Sequence, residues 1–323
     1  KQEYEVLGTD ISCNLGSTNI VNLMDSPDFG KSVRAMTRAL TFVTDASDID
    51  VVPSIQNGNA LNHTIGLGAM GLHTYFAKNQ MEYGSPESLE FTDLYFMLLN
   101  YWTLVESNAI AKEKGEVFHN FEKAAYADVS YFTDYIQGDY QPKSEKVKAL
   151  FEGVFLRTGE DWAALAQTVK ETGLYHQNRL AVAPNGSISY INDTSASIHP
   201  ITRMIEERQE KKIGKIYYPA PYLSNETIGY YKSAYDMDMR KVIDVYATAQ
   251  KHVDQGMSMT LFMRSDIPEG LYEWKETTKQ TTRDLNILRH YAFHKGIKSI
   301  YYIRTFTDDA EEIGSNQCES CVI

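Results

Sequence analysis

The sequence predicts an α/β fold with a mainly parallel sheet. Three observations carry that reading. The chain has 323 residues, 43% hydrophobic and 23% charged, enough for one large soluble core or two ordinary ones. Segments with helical spacing recur along it, most of them stopped by a glycine. Between them lie short apolar runs of strand length. Strand–helix–strand alternation implies right-handed crossovers into a parallel sheet or a barrel.

The elements follow in order. "GTDISCNLGS" (8–17) reads as a strand running into a turn. Residues 33–46 read as a helix. "GLGAMG" (66–71) reads as a helical segment whose glycines allow close packing. A strong helix starts near Ser85 with Pro86 at its first position. Tyr95, Leu98, Leu99, Trp102 and Val105 recur on it at helical spacing, and Gly115 ends it. Residues 160–172 form a helix before Gly173, 239–255 another before Gly256, and 283–295 another before Gly296. "RLAVAP" (179–184), "SMTLFM" (258–263) and "KSIYYIR" (298–304) are strand candidates. The last residues, 307–323, are acidic and nearly free of apolar side chains, so a mobile tail is expected.

A net charge of −12 argues against a phosphate-backbone binder, so no nucleic-acid partner is expected. No apolar run reaches membrane-spanning length and no secretory signal is present, so no membrane partner is expected either. Three cysteines, Cys13, Cys318 and Cys321, are too few and too unevenly placed for a disulfide scaffold. A reducing, cytoplasmic setting fits them. The chain begins with Lys1 and reads as the downstream part of something longer.

Four patterns could carry chemistry. "GLGAMG" matches G-x-G-x-x-G, and an NAD-dependent oxidoreductase would use it to hold a pyrophosphate. Polar "NALNHT" precedes it instead of a buried strand, which disfavours that reading. His290 and His294 are four apart on a helix, but no third metal ligand is evident. In "APNGSISYIN" (183–192), Pro184, Asn185, Gly186, Ser187 and Ile188 form a turn whose backbone N–H groups can cradle a phosphate. A plain Ser/Asn loop is the bland alternative. Tyr301 and Tyr302 sit in a strand candidate. Successive strand residues face opposite ways, so the pair would link two faces. Cys318-x-x-Cys321 could be half a zinc site in a non-enzymatic partner-binding module. It could also be a thioredoxin-type motif, or a shuttle that exchanges with a buried disulfide. A mobile tail suits the shuttle, and Cys13 is the one other cysteine available to it.

Together these residues resemble the large, catalytic subunit of class I ribonucleotide reductase, closest to class Ib. "DISCNLGSTNIVN" (10–22) resembles a redox-cysteine segment and "NHTIGLGAMGLH" (62–73) a helical segment of that subfamily. "PNGSISYIN" (184–192) resembles its substrate diphosphate loop, "YYIRT" (301–305) its radical-transfer tyrosines, and "CESCVI" its C-terminal dithiol. The resemblance implies a ten-stranded α/β barrel, of which residues 1–305 would form the second five-stranded half and 306–323 a redox tail. It implies reduction of ribonucleoside diphosphates to deoxyribonucleoside diphosphates. No cofactor would be bound in this chain. A di-metal (Fe or Mn) tyrosyl-radical centre in a partner small subunit would pass its radical through Tyr302 and Tyr301 to an active-site cysteine. The thiyl radical would abstract the ribose 3′ hydrogen, and Cys13 with a second cysteine would reduce C2′ and end as a disulfide. Cys318 and Cys321 would re-reduce that disulfide and be regenerated by a thioredoxin- or glutaredoxin-like protein. The thiyl cysteine, the partner of Cys13 and the allosteric nucleotide sites would lie on an upstream large-subunit fragment, leaving this chain inactive alone.

Overall fold

The computed structural model describes residues 7–47, 49–210 and 214–306. Their elements run β1 (Leu15–Asn19), α1 (Ile20–Met24), α2 (Phe29–Ala46), α3 (Pro53–Asn62), β2 (Gly66–Met70), α4 (Leu72–Lys78), α5 (Pro86–Lys114), α6 (Thr133–Gln137), α7 (Glu145–Leu150) and α8 (Gly159–Thr172). Then come α9 (Gly186–Ile191), β3 (Ile205–Glu210), β4 (Gly214–Pro219), α10 (Met239–Gln250), β5 (Thr260–Arg264), α11 (Thr282–His294) and β6 (Tyr302–Phe306).

The sheet is parallel. β1 pairs with β2 from Leu15–Gly66 to Asn19–Met70, and β5 with β6 from Thr260–Tyr302 to Arg264–Phe306. Residues 179–182 run between the two pairs. Leu67 bridges Leu180, and Val182 bridges Met257, both in parallel. Backbone bonds mark each junction: Leu67 N–H to Arg179 O at 2.8 Å, and Ser258 N–H to Val182 O at 2.8 Å. Five parallel segments therefore stand side by side in chain order, with helices in the connections. This is the five-stranded parallel layer that a half-barrel requires.

Local chemistry explains the helices. Ser85 caps α5 by accepting from Ser88 N–H, Pro86 opens it, and Gly115 ends it in the left-handed region at φ 67°. The middle of α5 is apolar nearly all round, from Phe91 through Leu104, so it is buried against α2, α10, α7 and α8. Each large apolar side chain removed from water there contributes about 1.5–3 kcal/mol before entropy is counted. Thr158 and Asp161 form a capping box on α8, and Thr281 and Asp284 another on α11.

Two expectations change, and one element is new. "GLGAM" is the fully buried strand β2 and not a helix. Its glycines serve strand packing: a Cβ on Gly68 would meet Ala181 O at 2.1 Å. That position inside a sheet also removes the dinucleotide reading, which needs an open phosphate loop. Helix α10 stops at Gln250 and not near 255. The Gln250 side chain donates to Val253 O and Gln255 O, and the Asp254 carboxylate accepts from the backbone of Arg179 and Leu180. Those bonds turn the chain out of the helix and into the sheet. Finally, β3 and β4 form an antiparallel hairpin that the charged "IEERQE" stretch hid.

Candidate active site

The segment after residues 179–182 is held by side chains from β1 and a backbone carbonyl of β2. Asn185 takes a left-handed conformation, φ 57° and ψ 20°, which asparagine tolerates better than most residues. Ser17 Oγ donates to Asn185 Oδ1 at 3.1 Å, and Asn185 Nδ2 donates to Ala69 O at 3.4 Å. Asn19 Nδ2 donates to Asn192 O at 3.0 Å. Gly186 then opens α9, so the expected turn continues into a short helix. Ser189 N–H returns to Asn185 O at 3.0 Å, and Ser189 Oγ to Gly186 O at 2.7 Å. Ser187 and Ile188 remain exposed on the first turn.

Pro184, Gly186 and Ser189 line one wall of a cavity, and Tyr301, Tyr302 and Arg304 line another. Ser258, Thr260 and Phe262 form the floor between them, every second residue as strand geometry demands. The hairpin supplies a further wall through Glu206 and Tyr218. Tyr190 links α9 to that hairpin: its hydroxyl donates to Glu206, and its ring lies 5.1 Å from that of Tyr218. Arg203 and His199 add polar groups to the lining. Thr194 Oγ1, also on the lining, is buried with no hydrogen-bond partner among the described residues. Such a hydroxyl is costly unless a ligand or water answers it.

The two tyrosines do not face opposite ways. Tyr301 precedes β6 and donates its backbone N–H to Met259 O at 2.7 Å, while Tyr302 opens the strand opposite Thr260. Alternation holds only inside the regular pleat, so both rings turn to the cavity with centroids 4.1 Å apart at 54°. They are 49% and 36% exposed, so solvent or a partner reaches both. A hydrogen bond with Tyr302 holds the Tyr301 phenol above its ordinary pKa. The Arg304 guanidinium lies 5.5 Å from the Tyr302 ring, two residues along the same face.

Cys13 is a free, exposed thiol just before β1 and is not on the cavity wall. Its neighbours are pinned: Ser12 Oγ donates to Asn59 Oδ1 at 2.6 Å, and Asn14 Nδ2 to Thr44 Oγ1 at 2.8 Å. Cys318 and Cys321 lie outside the described residues. His290 and His294 are exposed on α11. Among the described residues no group of three His, Cys, Asp or Glu side chains could hold a metal ion, and no helix is long and apolar enough to cross a membrane. Sequence patterns give Thr194, Glu206 and Tyr218 no role, and Tyr190 appears there only within "PNGSISYIN". The one available signal was the period-2 burial of β4, which is legible only once the hairpin is recognised.

Comparisons with known proteins agree with this architecture. The family model described as "Ribonucleotide reductase, barrel domain" matches residues 2–303. The chain is 45% identical over 321 residues to the ribonucleoside-diphosphate reductase subunit alpha of Bacillus subtilis (strain 168), covering 99% of this chain and 43% of that protein. It is 42% identical over 332 residues to the subunit alpha of Mycoplasma pneumoniae, covering 99% and 44%. The subunit alpha of Helicobacter pylori is 31% identical over 320 residues, covering 97% and 38%. The chain thus spans less than half the length of these curated relatives.

Proposed function

The chain belongs to the ribonucleotide reductase family and carries its barrel domain, and on that premise we propose that its cavity is where a ribonucleoside diphosphate is held for reduction. One observation carries the proposal. Two segments far apart in sequence line the same cavity, one through Pro184, Gly186, Ser189 and Tyr190 and the other through Tyr301, Tyr302 and Arg304. The first brings the opening turn of α9, where small side chains leave room for a diphosphate beside the backbone. The second brings two contacting phenols. Tyrosine side chains within van der Waals range can pass an electron while their protons shift locally.

Pro184, Asn185, Gly186, Ser187 and Ile188 would hold the diphosphate. Tyr302 and Tyr301 would relay an oxidising equivalent from a partner small subunit, whose di-metal centre generates it. Cys13 would act as one of the two cysteines that reduce the sugar. Cys318 and Cys321, in a tail over 306–323, would regenerate that pair and be reduced by a thioredoxin- or glutaredoxin-like protein in the cytoplasm. Residues 1–305 would complete the barrel with the remaining large-subunit sequence, which would supply the other cysteines and the allosteric nucleotide sites.

Reconstitution tests this. The chain is combined with large-subunit sequence bearing the remaining cysteines, a radical-bearing small subunit, a ribonucleoside diphosphate and a dithiol. Deoxyribonucleotide formation is expected, and its absence from an assembled complex refutes the assignment. Tyr301→Phe should abolish turnover while leaving diphosphate binding intact. Changing Cys318 and Cys321 to Ser should block thioredoxin-driven turnover and spare a reaction driven by a small dithiol.

A further inference from the structure

Away from the cavity, a second polar cluster lies where α6 and α5 meet the end of α10. Tyr135 is buried on α6, and its hydroxyl is 3.0 Å from His252 Nδ1. His252 Nε2 is 3.1 Å from Asp93 Oδ1. A carboxylate can only accept, so Asp93 fixes the proton on Nε2 and leaves Nδ1 as an acceptor facing the phenol. Lys251 Nζ, 3.3 Å away, donates to the same Asp93 oxygen. Burial lowers the His252 pKa, so the ring is neutral and can take a proton. Asn100 Nδ2 donates to the Tyr135 oxygen at 3.0 Å and to Tyr131 at 2.9 Å.

The ring of Tyr135 also belongs to an aromatic ladder. It stacks on Trp162 with centroids 4.1 Å apart at 18°. Trp162 lies 5.0 Å from Tyr101, and Tyr101 lies 5.3 Å from Trp102. Trp102 is the half-buried end, with the Arg157 guanidinium 4.5 Å from its ring.

Hydrogen-bond satisfaction alone would account for a buried tyrosine with a partner. The kind of partner sets Tyr135 apart. The buried Tyr83 and Tyr231 donate to backbone carbonyls, of Ile198 and Pro221, and buried Tyr95 meets the Thr18 hydroxyl. None of those acceptors can keep a proton near neutral pH. Tyr175 meets the Asp45 carboxylate, whose ordinary pKa lies well below that of imidazole. Tyr135 alone among these has an imidazole acceptor, a carboxylate behind it, and a stacked indole.

We propose that Tyr135 is a proton-coupled redox site that traps oxidising equivalents reaching the Trp102–Trp162 ladder. An indole radical cation at Trp162 takes one electron from Tyr135. The hydroxyl proton of Tyr135 moves to His252 Nδ1 as its O–H bond breaks and an N–H bond forms. Trp162 returns to its closed-shell form, Tyr135 becomes a neutral phenoxyl radical, and His252 becomes an imidazolium balanced by Asp93. The oxidant that creates the indole radical is any one-electron acceptor able to oxidise Trp102 from solvent. The site is thereby a sink that keeps such equivalents out of the neighbouring core, and it does not depend on the reductase assignment.

The test oxidises the full chain with photogenerated ruthenium(III) tris-bipyridine and reads the radical by EPR. 3,5-Difluorotyrosine placed at position 135 should change the hyperfine pattern of the tyrosyl signal. Asp93→Asn removes the negative charge that balances the His252 imidazolium, which makes Nδ1 a weaker proton acceptor. Labelled-radical formation should then slow by about ten-fold or more, the factor that one unit of lost acceptor basicity represents. An unchanged hyperfine pattern on labelling overturns the assignment of the radical to Tyr135. An unchanged rate in Asp93→Asn overturns the role of His252.

Discussion

Gly68→Ala should be among the most damaging single-methyl changes in this chain. A Cβ there would sit 2.1 Å from Ala181 O and 3.1 Å from both Ala181 C and Val182 Cα. Contacts below 3.0 Å are not sustained, so β2 and residues 179–182 must separate by about 0.9 Å. The obstacle is backbone inside a sheet and cannot rotate away. The junction is held by Leu67 N–H to Arg179 O at 2.8 Å and Ala181 N–H to Leu67 O at 3.1 Å. Losing both costs about 1 kcal/mol each, and overpacking adds about 1–3 kcal/mol, for a total of about 3–5 kcal/mol. That is a large part of the roughly 5–15 kcal/mol of a typical domain. Two companion substitutions calibrate the reading. In Gly66→Ala the clash is with the mobile Leu15 Cδ2 at 2.5 Å, so a smaller loss is expected. In Gly115→Ala nothing lies within 4 Å but φ is +67°, so the cost is backbone strain of about 1–2 kcal/mol. Urea unfolding followed by circular dichroism ranks the three. If Gly68→Ala is no worse than Gly66→Ala, the close approach of β2 to residues 179–182 is wrong.

The clamp on Asn185 is testable in the same way. Asn185→Ala should cost about 2–3 kcal/mol, from left-handed strain and the lost bond to Ser17, while Asn185→Gly should recover the strain part only. A double-mutant cycle with Ser17→Ala should return a coupling of about 1 kcal/mol, and zero coupling would exclude the Ser17–Asn185 bond. Buried His73, held neutral by Nε2 donating to Tyr230 O and Nδ1 accepting from Ile201 N–H, has its pKa lowered to about 4 by burial. The unfolded chain protonates this group first, near pH 6.5, so stability is full above that pH and falls as pH drops toward 4. His73 alone should remove roughly 3 kcal/mol across that window. The lowered His176 and His252 act with the same sign. His73→Gln should flatten the urea midpoint against pH between 6.5 and 4, and an unflattened curve would place the proton uptake elsewhere.

Sequence patterns revealed most of the helices because their signals are local. Ser85, Pro86 and Gly115 mark both ends of α5, and Thr158, Gly173, Thr281 and Gly296 punctuate the others. Strand β2 was hidden because a strand covered on both faces has no polar alternation to display. Its glycines, required by the neighbouring backbone at Ala181, mimic a helix-packing or dinucleotide motif. The hairpin was hidden because "IEERQE" carries charge on both faces near its tip. The end of α10 was hidden because Asp254 binds the distant backbone of Arg179 and Leu180, and because a glutamine that bonds ahead to Val253 and Gln255 looks like any other helical glutamine.

The site motifs were individually visible, but their meeting place depends on register, which no local pattern encodes. Val182 lies opposite Met257, and Met259, two residues further on, accepts the Tyr301 N–H. One step beyond, Thr260 faces Tyr302. The segment that begins at Pro184 and the tyrosine pair are therefore brought together by two adjoining parallel registers, those of 179–182 with 257 and of β5 with β6. A slip of one residue at either junction would turn Ser258, Thr260 and Phe262, or Tyr302 and Arg304, away from the cavity. Asp254 guards the first junction by gripping both Arg179 and Leu180, and Arg179 is locked in turn by Asn100 and Tyr126. That fully buried cation is thus a register pin for the site, even though the cavity wall begins five residues later at Pro184. Arg179→Met should therefore loosen diphosphate binding as well as stability. If binding survives intact while stability falls, the Asp254–Arg179 contact supports the core alone and the register must be held elsewhere.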